Sequence, residues 1–238
     1  IYDAAHAFGV RREGESVLAH GDLSVLSFHA TKVFNTFEGG AIISPDAKTK
    51  QRIDHLKNFG FVNETTVVAT GINGKMSEFN AALGLLQLKH VGRAIERRRQ
   101  VDALYRSLLG GLPGLRMIDK PLNATANQSY FPILVGPQFA TSRDALYQRL
   151  KEQGIHARRY FYPLISDFPM YRGLPSADPA GLPVAAAVSS QVLCLPIYPA
   201  LTDEDVFRIV DVIRAASRAA VPPAAATTAV SGAELLAA

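Results

Sequence analysis

The sequence contains a single cysteine among its 238 residues and no tryptophan. One cysteine excludes an internal disulfide and any metal site built from several thiolates. Because Cys194 stands between Leu193 and Leu195, with Val192 before them, we interpret it as a small buried hydrophobic residue rather than as a nucleophile. The cysteine therefore contributes no predicted chemistry.

The sequence also lacks a large excess of charge and a long uninterrupted apolar run. It has 25 Lys and Arg residues against 21 Asp and Glu, and this net charge of +4 is too small to indicate binding of DNA or RNA. The most apolar stretch, residues 182–201, contains prolines and the polar run Ser189-Ser190-Gln191, so it is not predicted to span a membrane. No basic segment followed by an apolar core opens the chain, and we expect a cytoplasmic protein.

The apolar residues that are present predict strands alternating with helices, which is typical of an α/β fold. The first residue is Ile1 rather than methionine, in a segment typical of a strand end, so we expect a fragment of a longer protein. Strands are predicted at residues 23–28, 39–44, 130–135, 155–161 and 192–195. Helices are predicted at residues 46–58, 77–109, 141–154, 184–190 and from 202 onward.

These elements predict two domains and a tail. Residues 1–111 are predicted to be the back part of a large domain that ends in a long bridging helix, and residues 112–218 a small domain. Residues 219–238 are nearly all Ala, Pro, Thr, Val and Ser, a composition that predicts a disordered tail. The densest basic run, Arg97-Arg98-Arg99, is interpreted as a solvated helix face.

Four polar motifs stand at predicted strand ends or in loops of the first 80 residues. They are Asp3-Ala4-Ala5-His6, Ser27-Phe28-His29-Ala30-Thr31-Lys32, Glu38-Gly39-Gly40 and Gly71-Ile72-Asn73-Gly74-Lys75-Met76-Ser77-Glu78. Each has an ordinary explanation: a carboxylate caps a helix, a lysine is a solvated surface charge, and paired glycines make a turn. The residues alone indicate only a polar cluster at strand ends, where α/β folds bind ligands.

Taken together and in this order, the motifs resemble the signature of the DegT/DnrJ/EryC1/StrS family of sugar-nucleotide aminotransferases. The likeness covers residues 1 to about 218, continuing through Ala81-Ala82-x-Gly84-x-x-Gln87-Leu88 and Leu195-Pro196-Ile197-Tyr198-Pro199. It implies that residues 1–111 are the back half of the large domain of an aspartate aminotransferase-like fold. It also implies the cofactor pyridoxal 5′-phosphate (PLP).

The resemblance implies a role for each polar residue. Lys32 would carry the cofactor and move a proton between carbon atoms, while Asp3 would keep the ring nitrogen protonated so that the ring accepts an electron pair. His6 would bind the ring hydroxyl, and Ser27 the phosphate. Asn73 would reach that phosphate from the neighbouring subunit, which implies a homodimer with shared sites. Lysine rather than histidine at position 32 favours transamination over the dehydration performed by one branch of the family.

Two parts of the family's site have no counterpart in this sequence. One is the Gly-Ser/Thr turn that binds the cofactor phosphate, and the other is the aromatic residue that stacks on the cofactor ring. Both are expected upstream of residue 1. The fragment by itself is therefore expected to hold an incomplete site.

Arg158, Arg159 and Tyr160 are the predicted substrate-binding residues. A guanidinium can pair with a nucleotide diphosphate while an aromatic ring covers the base or the sugar. An edge strand with solvated arginines explains the run equally well. With residues 168–172, the run resembles enzymes that aminate dTDP-4-keto-6-deoxyglucose at C4 with glutamate as donor, although C3-acting members are similar.

Two other classes of function remain as alternatives. A non-catalytic relative could bind PLP or a nucleotide as a sensor or scaffold, but the presence of both Lys32 and Asp3 argues against it. A general nucleotide-binding module is the other alternative. The sequence has neither a Gly-x-Gly-x-x-Gly run nor a Gly-x-x-x-x-Gly-Lys-Ser/Thr run to support it.

Overall fold

A computed structural model describes residues 1–218, in which short strands alternate with α-helices. The strands are β1 (Tyr2–Asp3), β2 (Arg11–Arg12), β3 (Glu15–Ser16), β4 (Ser24–Ser27), β5 (Gly40–Ile43), β6 (Leu115–Met117), β7 (Ala124–Thr125), β8 (Phe131–Val135) and β9 (Val192–Leu195). The α-helices are α1 (Ala47–Lys57), α2 (Glu78–Leu88), α3 (Val91–Leu109), α4 (Arg143–Glu152), α5 (Pro183–Gln191) and α6 (Asp203–Arg218). This alternation confirms the predicted α/β class.

The first sheet has the order β1-β4-β5. β1 runs parallel to β4, with Asp3 beside Val25, and β4 runs antiparallel to β5, with Ser27 beside Gly40. Because parallel strands end at the same edge of a sheet, the residues that follow Asp3 and Ser27 leave the sheet on the same side. The two strands predicted on either side of the lysine motif are confirmed.

A second sheet, in the order β3-β2-β7, joins parts of the chain that are far apart in sequence. β2 and β3 form an antiparallel hairpin. Arg11 and Arg12 of β2 also pair with Thr125 and Ala124 of β7. This pairing brings the residues that follow β7 close to the residues that precede β2.

The third sheet, in the order β6-β8-β9, is antiparallel and supports the main hydrophobic core. Side chains from α3, α4 and α6 pack on it, and Tyr105, Phe131, Leu146 and Ile213 are almost completely buried there. Full burial of an aliphatic or phenylalanine side chain stabilises a fold by about 1.5–3 kcal/mol. This core holds the second part of the chain together.

Two helices begin directly after residues whose side chains cap the first turn. The Asp46 carboxylate accepts a hydrogen bond from the Thr49 amide at 2.7 Å before α1. The Ser142 hydroxyl accepts one from the Ala145 amide at 3.2 Å before α4. Apart from the long central helix, each predicted helix is confirmed to within two residues.

The single helix predicted at residues 77–109 is wrong, because the chain forms α2 and α3 instead. At the break the amides of Lys89 and His90 bond carbonyls three residues back, and His90 has a φ of −120°, outside helical values. The break lets Gly84 of α2 pack on Thr36 while α3 packs on α6. Apolar spacing continues through the break and does not reveal it.

The strand predicted at residues 155–161 is also wrong, except for one bridge. Arg158 exchanges two backbone hydrogen bonds with Cys194 of β9, at 2.9 and 2.7 Å. The amides of Ala157 and Tyr160 bond carbonyls two residues back, so they cannot continue a ladder. The chain therefore curls away from the sheet beyond Arg158.

The arginine run in α3 is not the solvated face that we predicted from the sequence. Arg98 is buried and donates to the carbonyl oxygens of Gln128 at 3.2 Å and Ile197 at 2.8 Å. Arg97 donates to the Leu201 carbonyl at 2.6 Å. A guanidinium has five N–H donors. When loops pack against the helix, their carbonyl oxygens can accept the hydrogen bonds that water would otherwise accept.

The other predictions on organisation have different outcomes. Cys194 is buried, as predicted, and burial raises the pKa of its thiol to about 11. The division at residues 111 and 112 stays a prediction, and α3 shares its core with α4 and α6. The disordered tail predicted at 219–238 lies outside the described residues. Within residues 1–218, every helix is too short or too polar to cross a membrane.

Candidate active site

Polar residues follow β1 and β4 at one edge of the first sheet. Asp3 ends β1 and Ser27 ends β4, and the loop after each strand holds another predicted site residue, His6 or Lys32. Parallel pairing of the two strands directs both loops to the same edge. The arrangement follows from strand direction, which short sequence motifs do not specify.

A direct contact joins the two loops. Nζ of Lys32 lies 3.0 Å from Nε2 of His6, although the residues are 26 positions apart in the chain. The backbone of Lys32 is held as well, because its amide donates to the His29 carbonyl at 2.9 Å and its carbonyl accepts from Nδ2 of Asn35 at 3.3 Å. Both the backbone of Lys32 and the tip of its side chain are therefore held in place.

The His6 imidazole is shifted toward its neutral form. Partial desolvation of the ring and then the positive charge of Lys32 lower the pKa of His6, while the Asp3 carboxylate acts in the opposite direction. A neutral imidazole that holds its proton on Nδ1 presents Nε2 as an acceptor to the Lys32 ammonium group. The amine and the imidazole are therefore joined by a direct hydrogen bond.

Local hydrogen bonds orient the other two polar groups at this edge. Oδ1 of Asp3 accepts from the Ala5 amide at 3.0 Å, which sets the carboxylate at the end of β1. Oγ of Ser27 accepts from the His29 amide at 3.3 Å, in the turn that leads to Lys32. The serine hydroxyl can still donate its proton to an anion.

Glu38-Gly39-Gly40 closes the loop that carries Lys32. Gly39 has a φ of +145°, and a Cβ on Gly40 would lie 2.6 Å from the carbonyl oxygen of Leu26. A larger residue at either position would force the loop to move. The glycine pair therefore permits a close approach of the backbone to β4.

Asn80 holds the same loop and was not predicted from the sequence. Its Nδ2 donates to the carbonyl oxygens of Thr36 at 2.6 Å and Glu38 at 2.9 Å, tying α2 to the loop of Lys32. Asparagine is a poor helix former, so its position inside a helical pattern was the available signal. The carbonyl partners became identifiable only with the fold.

Tyr130 is a second residue that sequence reasoning missed. Its ring centroid lies 5.3 Å from that of His6 and 5.5 Å from that of Tyr160. Burial is the main cause that raises the pKa of Tyr130, which keeps its phenol protonated. From sequence, Tyr130 belongs to a predicted strand, and that apolar pattern concealed its contact with His6.

Asn73 lies in the loop before α2. The loop is attached to the end of α1, since the Ile72 and Gly74 amides donate to the carbonyls of Leu56 and Lys57, each at 2.8 Å. Within the described part of one chain, no hydrogen bond joins Asn73 to the cluster around the site lysine. Its expected role in a partner's site stays a prediction.

The predicted substrate residues Arg158, Arg159 and Tyr160 line a cleft of about 920 Å³. Arg158 is exposed and donates to the Tyr160 hydroxyl at 2.7 Å. Arg159 donates to the Asp144 carboxylate at 2.9 Å and stacks over Tyr147 at 4.5 Å. Arg158 therefore has more donor capacity to offer a ligand than Arg159, which is engaged within the fold.

The groups at the strand edge fit PLP chemically. A carboxylate suits a protonated ring nitrogen, an imidazole a ring hydroxyl, a serine hydroxyl a phosphate and an amine an aldehyde. The 3.0 Å separation of Lys32 and His6 lets both reach one small ring. Across residues 1–218, no group of three or more His, Cys, Asp or Glu side chains is arranged to hold a metal ion.

Comparisons with known proteins show what the chain is similar to. A model of the DegT/DnrJ/EryC1/StrS aminotransferase family matches residues 1–214. The chain is 55% identical over 210 residues to the dTDP-4-amino-4,6-dideoxy-D-glucose transaminase of Escherichia coli, covering 88% of this chain and 57% of that protein. It is 50% identical over 214 residues to the Shigella dysenteriae protein of the same name, covering 90% and 58%.

Solved structures show the same similarity. DesI, determined in the presence of its TDP-sugar product, is 39% identical with a TM-score of 0.83, covering 91% of this chain and 55% of that chain. DesV of S. venezuelae is 28% identical with a TM-score of 0.82, covering 91% and 57%. The chain thus spans little more than half the length of these relatives.

Proposed function

The chain belongs to the DegT/DnrJ/EryC1/StrS aminotransferase family, and on this premise we propose that the protein is a PLP-dependent aminotransferase that acts on a nucleotide-linked keto-deoxysugar. The observation that supports the proposal most directly is the 3.0 Å contact between Lys32 and His6. It joins the residue expected to carry the cofactor to the residue expected to bind the cofactor's ring.

Four residues of this chain would hold PLP and act on it. When bound, PLP supplies an electron sink for the pair left at a substrate carbon that loses its proton. Lys32 removes and returns that proton with its amine, and Asp3 holds a proton at the ring nitrogen through its carboxylate. His6 orients the ring by a hydrogen bond to its hydroxyl, and Ser27 binds the phosphate.

The substrate we propose is dTDP-4-keto-6-deoxy-D-glucose, aminated at C4 with glutamate as the amino donor. The names of the relatives from Escherichia coli and Shigella dysenteriae support this choice, because both refer to a dTDP-linked 4-amino-4,6-dideoxy sugar. The cleft beside Tyr160 supports a nucleotide diphosphate, because Arg158 is exposed there. The contacts from Tyr160 through Tyr130 to His6 connect this cleft with the site of the amine.

The proposal is tested with the full-length protein, PLP, glutamate and dTDP-4-keto-6-deoxy-D-glucose. We expect visible absorbance from bound PLP and a sugar product aminated at C4, identified by NMR. If the product instead carries its amine at C3, formed from the 3-keto isomer, the reaction is still a transamination but the assignment of C4 is wrong. A protein that binds PLP but aminates neither sugar would contradict the proposed function.

Arg158→Gln is expected to raise the KM for the nucleotide sugar by about 10- to 100-fold, because one charge-assisted hydrogen bond to a phosphate is lost. The kcat should change little, since Arg158 acts on a part of the substrate that does not react. Steady-state kinetics with varied sugar concentration measure both constants. Arg116→Gln, which removes an exposed arginine on β6, is the matched control and should leave KM unchanged.

We also propose that the protein is a homodimer in which Asn73 binds the phosphate in the partner's site. If so, co-expressing a Lys32→Ala chain with an Asn73→Ala chain should restore about a quarter of the normal activity, because random pairing leaves that share of sites intact. Pairing Lys32→Ala with Asp3→Asn is the control. Both of those residues belong to the same site of one chain, so no intact site can form and activity should not return. Full activity of a strict monomer would contradict the dimer.

A further inference from the structure

Asn127 is a buried asparagine whose amide makes four hydrogen bonds. Its Nδ2 donates to the carbonyl oxygens of His6 at 2.8 Å and Phe8 at 2.9 Å. Its Oδ1 accepts from the amide of Ser129 at 3.2 Å and from the hydroxyl of Ser129 at 2.6 Å. The side chain is only 5% exposed, so its amide forms its hydrogen bonds with protein groups rather than with water.

The turn that carries Asn127 is fixed by contacts made before it in the chain, through β7, and after it, through Gln128. It follows β7, which pairs with β2 and so stands beside the loop of His6. The next residue, Gln128, has a φ of +54°, and its carbonyl accepts a hydrogen bond at 3.2 Å from the buried Arg98. A non-glycine residue in the left-handed region persists when its surroundings hold it there. Asn127 therefore lies in a turn whose backbone conformation is fixed by its neighbours.

We propose that Asn127 is a positioning residue of the active site, which holds the His6 loop so that the imidazole stays against the Lys32 amine. The proposal rests on the proposed function for its consequence, but its structural part can be measured without any reaction. Tyr130, on the same segment, packs against the His6 ring, with 5.3 Å between the two ring centroids. The segment 127–130 thus controls both the backbone and the ring of His6.

Asn127→Ala removes the two donors without changing any charge near His6. The charged or titratable groups that face His6 are Lys32, Asp3 and Tyr130, and all of them remain in the variant. If the loop is released, we expect the His6 ring to become more solvated and to move away from the positive charge of Lys32. Since both influences lower the pKa of His6, we expect the pKa to rise toward its ordinary value. An NMR titration of the histidine ring nitrogens in the PLP-free full chain measures this.

A second measurement is the affinity for PLP, followed by fluorescence titration of the same variants. The dissociation constant should rise about tenfold, the effect of one hydrogen bond lost from His6 to the ring. Asn127→Ser, which keeps one shorter donor, should shift both quantities less but in the same direction. Tyr105→Phe is the control, because it removes a buried hydrogen bond to the Pro196 carbonyl in the same part of the chain.

The outcomes separate this inference from the proposed function. If both quantities shift in the Asn127 variants and not in Tyr105→Phe, the positioning role stands, even if the parent protein aminates no sugar. An unchanged His6 titration in either folded Asn127 variant would overturn it. Equal shifts in Tyr105→Phe would overturn it too, because they would reflect general loosening of the fold.

Discussion

Lys32→Ala is expected to lower the rate of amination by about 10⁴-fold or more, because under the proposed mechanism the variant loses both the covalent attachment of PLP and the base that moves the proton. The fold should persist. Lys32 is only partly buried and its side chain contacts the exposed His6 rather than the hydrophobic core. Single-turnover kinetics and the visible absorbance of bound PLP measure the two losses separately. Thermal unfolding of the variant tests the expectation on the fold.

Lys50→Ala is the matched control for this experiment. Lys50 is an exposed lysine of α1 that pairs with Asp54 and is not one of the proposed site residues, so the same type of side chain is removed. We expect its activity to be that of the parent protein. If Lys32→Ala turned over substrate at close to the normal rate, Lys32 would have neither role and the proposed mechanism would be wrong.

Asp3→Asn is expected to slow the proton-transfer step by about 10²- to 10³-fold, the range seen when one preorganised electrostatic partner of a reacting group is removed. Asparagine has nearly the same shape, and its oxygen can still accept from the Ala5 amide, so the loop should keep its form. In the proposed assignment, however, the loss of this negative charge would leave the ring nitrogen of PLP less protonated, so that the ring would accept electrons less readily. Affinity for PLP should fall much less than the rate.

The kinetic isotope effect of glutamate deuterated at its α-carbon identifies the step that is slowed. We expect this effect to increase in Asp3→Asn, because proton transfer then limits the rate. Asp22→Asn removes the charge of an exposed aspartate just before β4 and should change neither the rate nor the isotope effect. A normal rate for Asp3→Asn, or an Asp3 that points away from PLP in a holo structure, would refute its assigned role.

Local structure was largely determined by the sequence itself. The capping residues Asp46 and Ser142, and the glycines after the lysine loop, act on neighbours a few positions away, so their effects are readable along the chain. The errors arose where distant partners decide the outcome. The central helix breaks at Lys89–His90 because its two parts pack on different elements, and Arg98 is buried because two remote carbonyls replace water.

For the candidate site, too, some features follow from the sequence alone and others only from the tertiary structure. The sequence by itself determined which residue types stand after which strands, and the order of its motifs was enough to recognise the family that the comparisons confirm. Only the tertiary structure decided that β1 and β4 run parallel, that Lys32 contacts His6, and that Asn127 donates a hydrogen bond to the His6 carbonyl. The physical reason is distance along the chain. Asn127 binds a carbonyl 121 positions away, and no local pattern specifies which remote group will satisfy a buried amide.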